Sequence, residues 1–100
     1  MLIIAGTLEV EPEDRDVLMA AALPMMAASQ AEEGCIEYVF TLDLTDAGKV
    51  RVFERWTDLA ALEAHFATPH MAALRAAMAP LRIRPDVTRY AVARSGPVLG

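Results

Sequence analysis

One hundred residues make about one domain, and a chain of that length buries only about two-thirds of the surface its unfolded form exposes. Hydrophobic residues form 55% of it, above the roughly half of an average globular chain, so some apolar surface is expected to line a cavity or cover a subunit interface. A formal net charge of −5 lacks the positive footprint that phosphate backbones select, which excludes nucleic acid as a partner.

The opening MLIIAGTLEV has no basic flank, and Gly6 and Glu9 interrupt its apolar run, so it reads neither as a signal peptide nor as a membrane span. Leu2 to Val10 alternates as a strand whose two faces are both largely apolar, which predicts that both are covered. In EPEDRD, Pro12 suits the first turn of a helix, and Glu13 and Asp14 suit its positive end. That helix is expected to reach about Glu33, with Leu18, Ala22, Met25 and Ser29 along one side and Gly34 as its stop. Pro24 removes the bond to the Ala20 carbonyl and is expected to bend it.

Cys35 to Asp43 alternates again, DLTDAGK carries turn chemistry, and a return strand from Val50 to Trp56 puts Val50, Val52, Glu54 and Trp56 on one face. Thr57 or Asp58 can cap a short helix that turns Leu59, Leu62 and Phe66 toward the core. Thr68-Pro69 opens a second helix with Met71, Leu74 and Met78 in register, and Pro80 closes it. Val87 to Arg94 reads as a last strand, and SGPVLG as a loose tail. The order predicts an α+β fold of the ferredoxin-like split βαβ type, a four-stranded antiparallel sheet with helices on one face, in a single domain over residues 1–94 with a tail over 95–100. Because the strands read as apolar on both faces, a second copy of the chain is expected to cover the other face, giving a homodimer. Cys35 is the only cysteine, so no internal disulfide can form and a cytoplasmic location is expected.

Three stretches carry a resemblance across roughly residues 2–93: EEGCIEYVF at the second strand, FERW at the end of the third, and TDLAALEAHFATPH after it. Together they resemble the antibiotic biosynthesis monooxygenase superfamily, which has a glycine-cysteine turn, a Glu-x-Trp strand and two histidines spaced as His65 and His70 are. The resemblance implies a dimeric α/β barrel with a pocket between sheet and helices in each subunit. It also implies a range of chemistries, from cofactor-free oxidation of quinols or polyketide-derived phenols to haem degradation and the isomerisation of a small sugar derivative. Haem degraders of this kind pair an asparagine on the first strand with a tryptophan on the second helical region. Here Gly6 and Thr7 stand in the first place and no tryptophan follows Thr57, so haem degradation is not expected.

Oxidation without a cofactor needs a base and a dry, shaped pocket. Histidine suits the base because its unperturbed pKa of about 6.5 lies near working pH. His65, three residues after Leu62, is the expected catalytic base, with Trp56, His70, Glu54 and Tyr38 as substrate-binding lining. Glu54, if buried, must be paired or have a raised pKa, and Arg51, Arg55 and Arg89 are the available cations. No activating base is visible beside Cys35. Two histidines and a carboxylate form a metal-ligand set, yet five residues across Thr68-Pro69 is not the spacing of a rigid helical pair, so no metal and no cofactor are expected. The expected activity is therefore a cofactor-independent monooxygenase acting on a quinol-like or polycyclic phenolic substrate. The alternatives are a non-catalytic dimer that binds a small apolar ligand, or an isomerase of a small carbonyl compound.

Overall fold

In the computed structural model, which describes residues 1–100, strand β1 (Leu2–Val10) turns Leu8 and Val10 into the core and leaves Glu9 in solvent. Helix α1 (Pro12–Gln30) follows at once and buries Leu18, Ala22, Met25 and Ser29 along one stripe, as their spacing predicts. It runs through Pro24 without interruption but stops at Gln30, short of Glu33. The chain then turns through Gly34, whose φ of +85° favours glycine and where a Cβ would press on Ala61 and Thr57. Glu32 thereby leaves the helix and sits in the turn.

Strands β2 (Cys35–Leu42) and β3 (Lys49–Trp56) form the expected hairpin, its turn held by Asp46 Oδ1 accepting from the Gly48 amide at 2.8 Å. Helix α2 (Leu59–Phe66) is capped by Asp58, which accepts from the Ala61 amide at 2.8 Å. Its buried residues are Leu62 and His65, not the expected trio of Leu59, Leu62 and Phe66. Leu62 and His65 are three apart and share the inward stripe, which rotates Leu59 and Phe66 to its margins, where they are 44% and 50% exposed. Thr68 caps helix α3 (Pro69–Met78), and Leu74 is its buried contact.

Strand β4 spans Ile83–Ala91, beginning before Val87 and running through Pro85. Proline is tolerated there because the sheet order β2-β3-β1-β4 makes β4 an edge strand, paired only with β1. All pairings are antiparallel, and the helices cover one face: the ferredoxin-like α+β fold. Register sets Tyr38, Glu54 and Ile4 side by side across β2, β3 and β1 on the helix-facing side. The core is a single cluster of twelve buried hydrophobic residues between helices and sheet. No helix is long and apolar enough to cross a membrane.

Gly6 faces Val87 across the β1–β4 pair, and a Cβ there would run into the Asp86 carbonyl and lie 2.7 Å from the Val87 Cα. The obstacle is backbone and cannot swing aside. Gly6→Ala is expected to lower stability by about 1–3 kcal/mol, measured by urea denaturation, with spreading of the β1–β4 edge.

Candidate functional site

A cavity of about 290 Å³ lies between the helix-facing side of the sheet and helices α2 and α3. Ten of its thirteen lining residues are hydrophobic, among them Ile4, Leu8, Phe40, Val52, Met71 and Leu74. The polar minority is Tyr38, Glu54 and His65. An apolar hollow with a few convergent polar groups is the usual form of a small-molecule site. A larger cleft of about 520 Å³ opens between Glu9, Asp46, Lys49, Arg82 and Arg84, but its charges neutralise one another, as in the 2.8 Å Arg84–Glu9 pair, and it holds no histidine, cysteine or tyrosine.

The histidines are joined by Glu32. His65 Nδ1 and His70 Nε2 each lie 2.7 Å from the same carboxylate oxygen, Glu32 Oε2. A carboxylate only accepts, so the nitrogens that meet it carry their hydrogens. In the neutral ring this specifies, for His65, the tautomer with hydrogen on Nδ1 and the lone pair on Nε2, which has no partner in the chain. His65 is 1% exposed and packs against Trp56 and Tyr38, with ring centroids 4.7 and 5.3 Å away. Thr68 fixes the corner between the two helices: its hydroxyl donates to the His65 carbonyl at 2.7 Å and accepts from the Met71 amide at 3.2 Å. These two hydrogen bonds to backbone bring His70, on the first turn of α3, back over His65, with ring centroids 6.0 Å apart.

Glu54 is 8% exposed, and no arginine pairs with it. Arg51 and Arg55 alternate to the opposite face of β3 and bind Asp43 and Glu37 instead, at 2.9 and 2.8 Å. The partner of Glu54 is Trp56, whose Nε1 donates to Oε1 at 2.9 Å. Burial pushes the Glu54 carboxyl up to about 7, with the Trp56 bond opposing that rise and the Glu32 charge adding to it. Burial likewise raises the Tyr38 phenol far above its ordinary value, and the Glu54 and Glu32 carboxylates raise it further. The Cys35 thiol is raised by burial and by the same two carboxylates, the reverse of what a nucleophile needs.

The model of the antibiotic biosynthesis monooxygenase family matches residues 1–77. The chain belongs to that family. Its relatives include a Mycobacterium tuberculosis protein named "Putative monooxygenase Rv0793", 34% identical over 74% of this chain and 72% of its own length. The solved structure of that protein superposes with a TM-score of 0.83 at 31% identity, covering 96% of this chain and 97% of the other. A structure from Deinococcus radiodurans, described as a "putative antibiotic biosynthesis monooxygenase", has a TM-score of 0.88 at 27% identity over the whole of both chains. An uncharacterized Synechocystis protein is 35% identical over 69% of this chain, which spans only 47% of that relative's length.

Within this family fold the cavity wall includes Tyr38, Glu54 and His65, while Trp56 and His70 stand behind it. Trp56 is fully buried and holds Glu54 from below; His70 is bound to Glu32 at the turn. Glu32 was not among the expected site residues, because a helix reaching Glu33 places its side chain on a helix face. The pair of carboxylates just before Gly34 was the available signal for an earlier turn. The five-residue spacing that argued against a histidine pair is bridged by the α2–α3 corner, so Glu32, His65 and His70 do converge, with their ligand atoms within 4.8 Å of one another. An ion held tetrahedrally at ~2.0 Å would set its ligand atoms ~3.3 Å apart. Here both nitrogens lie at hydrogen-bond distance from one oxygen, Glu32 Oε2.

Glu54 makes stability depend on pH. Its folded value near 7 exceeds the ordinary 4.5, so the native state binds more protons than the unfolded state between those limits, and stability falls as pH rises through them. Glu54→Gln keeps an oxygen for the Trp56 N–H and removes the charge. Denaturant titrations across this window are expected to show the variant gaining on the parent by up to about 3 kcal/mol between pH 4.5 and 7, then holding a constant difference above it.

Proposed function

We propose that the protein is a cofactor-independent monooxygenase in which His65 is the base that ionises a quinol-like or phenolic substrate for reaction with molecular oxygen. The observation that carries this reading is the His65 imidazole, buried at an apolar cavity with Nδ1 bound to Glu32 and Nε2 unpartnered. Nε2 takes the hydroxyl proton, and the electron pair left on the ring makes the substrate itself the reductant of oxygen. For a phenol with an open para position, one oxygen atom enters the ring to form the quinone and the other leaves as water, so no outside reductant is required. Ile4, Val52 and Met71 exclude water from the ring, and Tyr38 and Glu54 are the polar contacts available to it. A volume near 290 Å³ is at the low end for ligand sites and suits one or two fused rings better than a larger polycycle.

A homodimer belongs to the same reading. Ile3, Ala5, Val39 and Phe53 alternate to the face away from the helices and are only half-buried. A second copy, sheet against sheet, would cover them.

The test is oxygen uptake with hydroquinone, naphthohydroquinone and naphthol, measured above the uncatalysed rate. Turnover with at least one substrate is expected, and His65→Gln is expected to reduce it about 10²- to 10⁴-fold while remaining folded. Absence of uptake across the panel, or equal turnover by the variant, contradicts the reading. Conversion of a carbonyl substrate under nitrogen would assign the cavity to isomerisation instead.

A further inference from the structure

Glu54 is a carboxyl group in an apolar wall, satisfied on one side only. The indole N–H of Trp56 can donate but not accept, so Oε1, 2.9 Å away, must be the accepting oxygen whether or not the group is ionised. The carbonyl oxygen is the better acceptor of a protonated carboxyl, so the Trp56 bond favours the form of Glu54 with its proton on Oε2. Oε2 has no partner in the chain, and the residue lines the same cavity as His65. An oxygen of a carboxyl in a hydrophobic wall that has no protein partner is completed by water or by a ligand. The other ionisable groups near it are His65 in the same cavity, Tyr38 and Cys35, whose phenol and thiol are both pushed up, and Glu32, whose charge opposes a second negative charge close by.

We propose that Glu54 is a second catalytic residue of this cavity, donating from Oε2–H to one oxygen of the substrate while His65 Nε2 removes a proton from another. The proposal rests on the His65 reading above and adds the acid that it lacks. The substrate O–H bond breaks, its proton joins His65 Nε2, and the electron pair stays on the substrate. Where the hydroxyl is conjugated to a carbonyl, negative charge appears on the distant oxygen, and that is the oxygen Glu54 meets. The cavity thus selects conjugated hydroxy-carbonyl compounds over simple phenols. Burial, which favours the protonated form of Glu54 up to about pH 7, keeps the donor present under ordinary conditions.

The test requires no oxygen and no natural substrate. Para-hydroxybenzaldehyde, whose ionisation moves charge to its carbonyl oxygen and changes its absorbance, is titrated into the protein under nitrogen near neutral pH. Para-ethylphenol, which lacks the second oxygen, serves as the control. The parent is expected to favour the aldehyde by about 10- to 100-fold, the range of one hydrogen bond to a charged acceptor. Glu54→Leu is expected to lower that preference by about 10-fold or more, leaving the part that the greater acidity of the aldehyde gives through His65, whereas Glu54→Gln, which keeps a donor beside the Trp56-bound oxygen, retains most of it. A merely loosened wall would weaken both ligands alike and leave their ratio unchanged. An unchanged ratio in Glu54→Leu overturns the proposal, and so does failure of the folded parent to bind the aldehyde. If Glu54→Leu changes nothing while His65→Gln abolishes ionisation of the bound aldehyde, only the acid is wrong. If neither variant alters it, the base assignment fails too.

Discussion

Two imidazoles share one carboxylate oxygen, and much of the local architecture exists to make that possible. Glu32 can reach His65 and His70 only because α1 ends at Gln30 and the chain turns at Gly34, whose carbonyl then accepts from the Thr57 amide at the end of β3. The histidines can meet Glu32 only because the Thr68 hydroxyl holds the end of α2 to the start of α3. The turn after α1 is thereby tied, at one oxygen atom, to the α2–α3 corner more than thirty residues away. The benefit is orientational: a buried imidazole with Nδ1 occupied has one nitrogen left for chemistry. An unpaired His65 Nδ1–H in that environment would cost about 1–3 kcal/mol, so the same contact also stabilises the fold.

Around this cluster the sheet supplies the opposite chemistry. Val50, Val52, Glu54 and Trp56 all face the helices from β3, and only Glu54 among them is charged in its ordinary form. Its burial works against stability above neutral pH, while Trp56 relieves part of the penalty by donating to Oε1. Carboxyls at Glu32 and Glu54 sit in different solvents, the first bonded by two N–H donors in the turn and the second by one in an apolar wall. Residues of the same type thus take distinct chemical characters from their surroundings.

Much of this was legible in the amino-acid order. Period-two alternation located β1, β2 and β3, and the stripe of Leu18, Ala22, Met25 and Ser29 located the buried side of α1. Chain order then sufficed for the split βαβ topology. Legibility failed where an element end is decided by a turn and not by periodicity. Helical periodicity carries past the observed end of α1 at Gln30 toward Glu33, which hides Glu32 on a helix face. Pro85 reads as a break that delays β4 to Val87, although an edge strand needs no donor at that position and the strand spans Ile83–Ala91. On α2, Phe66 outranks His65 in hydrophobicity, yet the ring bonded to Glu32 is the one that turns inward. Of the two outcomes expected for a buried Glu54, a cation partner or a raised pKa, the second holds: alternation places Arg51 and Arg55 on the far face of the sheet, and Arg89 lies two strands away beyond Ile4.

The tautomer of His65 tests the account most directly, because every role assigned to the cavity depends on a free Nε2. A two-bond proton–nitrogen correlation spectrum of the nitrogen-labelled protein, assigned with His65→Gln and His70→Gln, reads which ring nitrogen bears hydrogen in the neutral form. The account predicts hydrogen on Nδ1 of His65, a bare Nε2, and loss of that preference in Glu32→Ala. Hydrogen on Nε2 of His65 in the parent would contradict it.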